Sequence, residues 1–129
     1  MSYRPIRIVL DTSAVVDYCR GSVHVGEMLV EVDAEAAAAG MPFLCLSAAL
    51  PAITDLDRLD YLVTHPAVKI VSDEPWSWRA HSMTQDIVGR PDAASAASAA
   101  MEAGRWVLTR QAGLYAGING GDLVIEIED

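Results

Sequence analysis

Apolar and polar positions along this chain switch repeatedly between two rhythms. Short β-branched runs alternate with longer stretches whose apolar positions recur at helical spacing. The first run, "IRIVL" (6–10), is too short and too rich in Ile and Val for a helix, and predicts a buried strand. Asp11, Thr12 and Ser13 follow as a turn and N-cap, and Ala14, Val15 and Val16 open a helix. A second helix is predicted from Ser22, a natural N-cap, to Gly40, a natural residue just past a helix end. "MPFLCL" (41–46) predicts a second strand, and "SAALPAITDLDRLDYLV" (47–63) a helix with Pro51 near its start. "AVKIV" (67–71) predicts a third strand. A helix is predicted over "SDEPWSWRAHSMTQDIV" (72–88), with cap residues and a proline in its first turn.

The tract "AASAASAA" within 89–104 looks like low complexity but predicts a helix, since alanine has the highest helix propensity and permits close packing on a sheet. Ser95, Ser98 and Glu102 share one of its faces. "RWVLT" (105–109) is a fourth strand and "DLVIEIE" (122–128) a fifth, expected at a sheet edge, with the acidic "IEIED" a solvated end. Strands separated by helices imply an α/β protein: a central, mostly parallel sheet of four to five strands with helices on both faces, in one domain spanning 1–129.

Composition supports a globular chain, with 52% hydrophobic and 21% charged residues. Cys19 and Cys45 lie in apolar stretches without neighbouring ligands at metal spacing, and are expected to be reduced core thiols of a cytoplasmic protein. No signal-peptide pattern or membrane-length apolar run is visible. Nine Lys and Arg stand against eighteen Asp and Glu, a formal net charge of −9. Such a balance disfavours RNA binding through the overall field, because phosphate backbones are held by clustered cations.

Candidate chemistry gathers at strand ends: Asp11 after the first strand, Asp73 after the third, Thr109 after the fourth, and Asp92 behind Pro91 at the start of the alanine helix. Open parallel sheets bind ligands beyond the carboxyl ends of their strands. Each aspartate also has a plainer role: Asp11 as an N-cap, Asp92 as a first-turn acid favoured by the helix dipole.

The stretches "IVLDTSAVVDY", "RPDAASAASAAMEAGRWVLTR" and "QAGLYAG" together resemble the PIN domain family, especially short bacterial proteins of the VapC type, over nearly the whole chain. The resemblance implies a three-layer α/β/α fold and a Mg²⁺- or Mn²⁺-dependent ribonuclease ancestry. It also implies dimerisation and, for many members, a toxin held by an antitoxin. Such chemistry needs clustered carboxylates, because hard cations take oxygen ligands and activate water. By motif, Asp11 takes the family's first acidic position and Asp92 the third, with Ser13 and Thr109 as supporting polar residues. Two acidic positions are replaced: Ala48 stands where a glutamate belongs in "PFLCLSAAL", and Gln111 where an aspartate belongs in "VLTRQ".

No other acid substitutes readily. Asp55 lies seven residues beyond Ala48, about 10 Å along a continuous helix. Asp73 is expected to cap the following helix, and Glu102 points to another face. Arg110 either turns inward to neutralise the two remaining carboxylates or points to solvent. His24, His65 and His81 are scattered and expected at surfaces or helix ends, and Tyr115 and Gly117 punctuate a turn. Trp76, Trp78 and Trp106 without surrounding cations suit a core or an interface. The alanine helix or a tryptophan cluster would serve a homodimer.

A phosphoacceptor receiver is disfavoured, since Asp11 has no acidic neighbour and Lys69 is the sole lysine. The expected function is a PIN-like protein with an eroded metal site, non-catalytic or weakly active. It would bind Mg²⁺ or Mn²⁺ weakly through Asp11 and Asp92 and act by binding a protein, an antitoxin among the options, or RNA, which the net charge disfavours. The alternative is a working Mg/Mn-dependent endoribonuclease of a VapC-type toxin–antitoxin system. Losing direct ligands decides between them, because even an outer partner of a metal site is worth about 10–100-fold.

Overall fold

The computed structural model describes residues 3–129. Five strands form one all-parallel sheet: β1 (Ile6–Leu10), β2 (Ala38–Pro42), β3 (Val68–Val71), β4 (Val107–Thr109) and β5 (Val124–Glu126). Their spatial order is β3-β2-β1-β4-β5. Six helices cover the sheet in three-layer α/β/α fashion: α1 (Thr12–Cys19), α2 (Val23–Ala34), α3 (Phe43–Ala49), α4 (Leu56–Val63), α5 (Trp78–Val88) and α6 (Pro91–Ala103). Among the described residues, no helix is long and apolar enough to cross a membrane.

β1 lies at the centre, which its sequence explains. Ile8, Val9 and Leu10 are fully buried, and alternate side chains of a strand point to opposite faces. Ile8 and Leu10 pack with Val15 of α1, Leu29 of α2 and Leu62 of α4. Val9 packs on the other face with Val88 of α5 and with Ala93, Ala97 and Ala100 of α6. The alanines Ala93, Ala94, Ala96, Ala97 and Ala100 therefore form the buried inner face of α6.

The structure corrects the sequence reading between residues 34 and 56. α2 does start at Ser22, whose side chain accepts from Val25 N, but it stops at Ala34 and the chain reverses at Ala36 (φ 53°). The alanines and Gly40 become the buried strand β2, so tertiary context overrides their helix propensity. Small residues are needed there: a Cβ on Gly40 would lie 3.2 Å from Ile6 Cδ1. Of "MPFLCL", Met41 and Pro42 are extended as the end of β2, whereas Phe43 to Leu46 are helical and open α3. Pro51 then belongs to a 3₁₀ turn (Leu50–Ala52), and a new helix, α4, begins behind the cap Asp55. Proline cannot sit inside a continuous helix, and here it separates two.

Candidate functional site

The strand order reverses between β1 and β4, which makes the carboxyl ends of these strands the crevice of the fold. β1 delivers Asp11 to it, β4 delivers Thr109, and the first turn of α6 delivers Asp92. All three side chains are buried.

Asp11 is the N-cap of α1 and lies at this crevice. Its Oδ1 caps α1, accepting from Ala14 N (3.1 Å) and from Ser13 Oγ (2.7 Å), while its Oδ2 accepts from the hydroxyl of Tyr115 (2.8 Å). Ser13 and Thr109 stand beside it as expected, their hydroxyls 3.2 Å apart. The backbone N–H of Arg110 donates to Ser13 Oγ and that of Gln111 to Thr109 Oγ1, both at 2.9 Å. The loop after β4 is thus tied to the crevice through its main chain.

Asp92 is as fully engaged. Its Oδ2 accepts from Thr12 Oγ1 (2.5 Å) and from Arg90 Nη2 (2.8 Å), and its Oδ1 from Arg90 Nε (3.1 Å). Burial pushes the Asp92 carboxyl up, but Thr12 and Arg90 outweigh it and hold the group below its ordinary value. Cys45 of α3 donates its thiol to the Asp92 carbonyl at 3.2 Å. Burial raises that thiol to about 12, so it stays protonated and unreactive. Burial and the Asp11 carboxylate likewise push the Tyr115 phenol up, keeping it a donor. Thr12, the residue after Asp11, donates to Asp92, which brings the two acidic positions to the same end of the sheet.

Ala48 lies one turn from Cys45 on α3 and is exposed, and the side chain of Gln111 is exposed as well. Arg110 takes neither of the roles weighed for it. Its Nε donates to Asp17, a buried acid of α1, and its Nη2 to the carbonyl of Asp129 at 2.8 Å. The final residues are accordingly held: Ile127 is buried, and the Asp129 carboxylate accepts from Ser22 Oγ and His24 N. Asp73 does not cap a helix. It accepts from Ser95 Oγ (2.5 Å) and faces His81, which lies half-buried in the first turn of α5 against the start of α6.

Four contributors escaped the sequence reading: Thr12, Arg90, Tyr115 and Asp17. A signal existed for Asp17, since an acid inside the apolar stretch "AVVDYC" requires a cationic partner once buried. Tyr115 gave none, because its turn surroundings hid a fully buried ring. Among the described residues, no three His, Cys, Asp or Glu side chains form a group that could hold a metal ion. None of their buried side-chain nitrogen or oxygen atoms lacks a hydrogen-bond partner.

No family model and no curated protein matches this chain. Among solved structures it is similar to the crystal structure of PAE2754 from Pyrobaculum aerophilum, with a TM-score of 0.68. The match covers 95% of this chain and 92% of that one at 18% sequence identity, a likeness of fold.

Proposed function

We propose that this chain is a PIN-like protein with an eroded acidic site, which binds Mg²⁺ or Mn²⁺ poorly, cleaves RNA slowly or not at all, and works by binding protein. One observation carries the reading: both carboxylates retained in the crevice have their oxygens engaged by protein donors. A divalent cation needs several oxygen ligands turned toward it. Hydroxyls, an amide and a guanidinium that all donate are the wrong surroundings, and Ala48 and Gln111 add no charge. The residues present do not fit a resident Mg²⁺ or Mn²⁺.

The cations of the chain support protein over RNA as the partner. Arg4, Arg7, Arg90 and Arg110 are paired with Asp33, Glu35, Asp92 and Asp17. The other five cations, Arg20, Arg58, Lys69, Arg79 and Arg105, are spread along a chain of net charge −9, whose overall field does not draw a phosphate backbone. Apolar surface is plentiful: Trp76, Trp78, Met83 and Ile87, on α5 and the turn before it, each expose more than half of their area. Aromatic and methionine side chains are enriched at interfaces, and this surface suits a second copy of the chain.

Calorimetric titration with MnCl₂, alongside incubation with a long single-stranded RNA, tests the reading. Weak or absent binding and slow or absent cleavage are expected. Micromolar affinity together with cleavage that disappears in Asp11→Asn would overturn it and establish the nuclease. Restoring the two acids in Ala48→Glu/Gln111→Asp is expected to raise Mn²⁺ affinity.

A further inference from the structure

Arg90 stands immediately before Pro91 with an extended backbone (φ −145°, ψ 140°) at the entry to α6. Its guanidinium turns onto the carboxylate two residues ahead, with one nitrogen on each oxygen of Asp92. This two-pronged pairing is the strongest that an arginine and a carboxylate make. The carboxylate lies inside, its side chain 9% exposed, and the arginine closes over it from solvent at 41% exposed.

We propose that Arg90 is the built-in counter-cation of Asp92, a tethered guanidinium holding the place beside that carboxylate that a diffusible divalent cation would otherwise take. The inference rests on the reading of the crevice as an eroded metal site and deepens it. Metal is kept out by an occupant as well as by missing ligands. A group tethered this closely to its partner acts at an effective concentration on the order of millimolar or above. It therefore competes with a free cation at every concentration a cell supplies. Without it Asp92 would be a buried carboxylate stripped of its charged partner, a costly arrangement.

Wild type, Arg90→Gln and Arg90→Lys are titrated with MnCl₂ by calorimetry and melted with and without millimolar MnCl₂. Arg90→Gln should bind Mn²⁺ at least about tenfold more tightly than wild type, the scale on which neighbours tune a metal site. Its melting temperature should fall without metal and recover with it. Arg90→Lys, which keeps the charge but one prong only, should fall between the two. Arg90→Gln binding no more tightly than wild type, with a melting temperature indifferent to Mn²⁺, would overturn the proposal. If Ala48→Glu/Gln111→Asp gained affinity in that case, the missing ligands alone would account for exclusion and the eroded-site reading would stand. Micromolar binding by wild type itself would instead end the eroded-site reading. Should Arg90→Gln fail to fold, the double variant Arg90→Gln/Asp92→Asn, which removes both charges, is expected to fold and to ignore Mn²⁺. Failure of that double to fold would also count against a purely electrostatic role for Arg90.

Discussion

Tyr115 and Asp92 show how single residues hold the crevice together. The Tyr115 phenol is the donor to Asp11 Oδ2, and both groups are buried. Tyr115→Phe keeps the ring but leaves a buried carboxylate oxygen without that partner, which costs about 1–3 kcal/mol. A lower urea midpoint with an unchanged slope is the expected result. For Asp92, burial opposes the charged form and the Thr12 and Arg90 contacts prevail, so its folded carboxyl lies below the unfolded value. The stability it contributes is therefore present above the unfolded value, about pH 4, and is lost as pH falls through the folded value. Urea midpoints measured from neutral to strongly acid pH should drop on the acid side, and the drop should be shallower in Asp92→Asn. The sequence made Asp11, Asp92, Ser13 and Thr109 visible because each follows a strand or opens a helix. Thr12, Arg90 and Tyr115 were hidden because ordinary cap and turn chemistry accounts for such residues equally well.

Among the elements, α6 and β2 are built from nearly the same residues and end as opposites. Alanine in α6 follows its propensity, and the absence of side-chain bulk lets the helix lie against Val9 and Val107. Alanine in β2 acts against its propensity, because the strand is buried between β1 and β3 and pairs with both. Periodicity could not separate the two tracts, since alanine carries almost no hydrophobic contrast. The runs "IRIVL" and "AVKIV" do carry it, and both became strands where the pattern put them. Ala97 has no exposed surface, so Ala97→Leu would have to wedge the helix off the sheet. Overpacking of that kind costs about 1–3 kcal/mol, and a lowered melting temperature is expected in a chain that still folds.

For the whole molecule, the exposed apolar residues on and before α5 are the feature that a monomer would not need. Sedimentation at micromolar concentration is expected to show a dimer, and Met83→Glu/Ile87→Glu a monomer with unchanged thermal stability of the crevice variants. A wild-type protein that sediments only as a monomer would remove the second copy as partner. The order of the sheet has a further consequence, for the time course of folding. β1 can pair with β2 early in synthesis, through Val9 and Gly40, whereas its other edge waits for Val107 near the end of the chain. Contacts so distant in sequence slow folding, because the intervening chain must be closed before they form. Until β4 and Tyr115 emerge, Asp11 has a cap to make but no phenol to meet, and β1 presents an open, apolar edge. The crevice is thus completed late, only β5 and the final residues following it, and the nascent chain is exposed to misassociation where its chemistry will finally be.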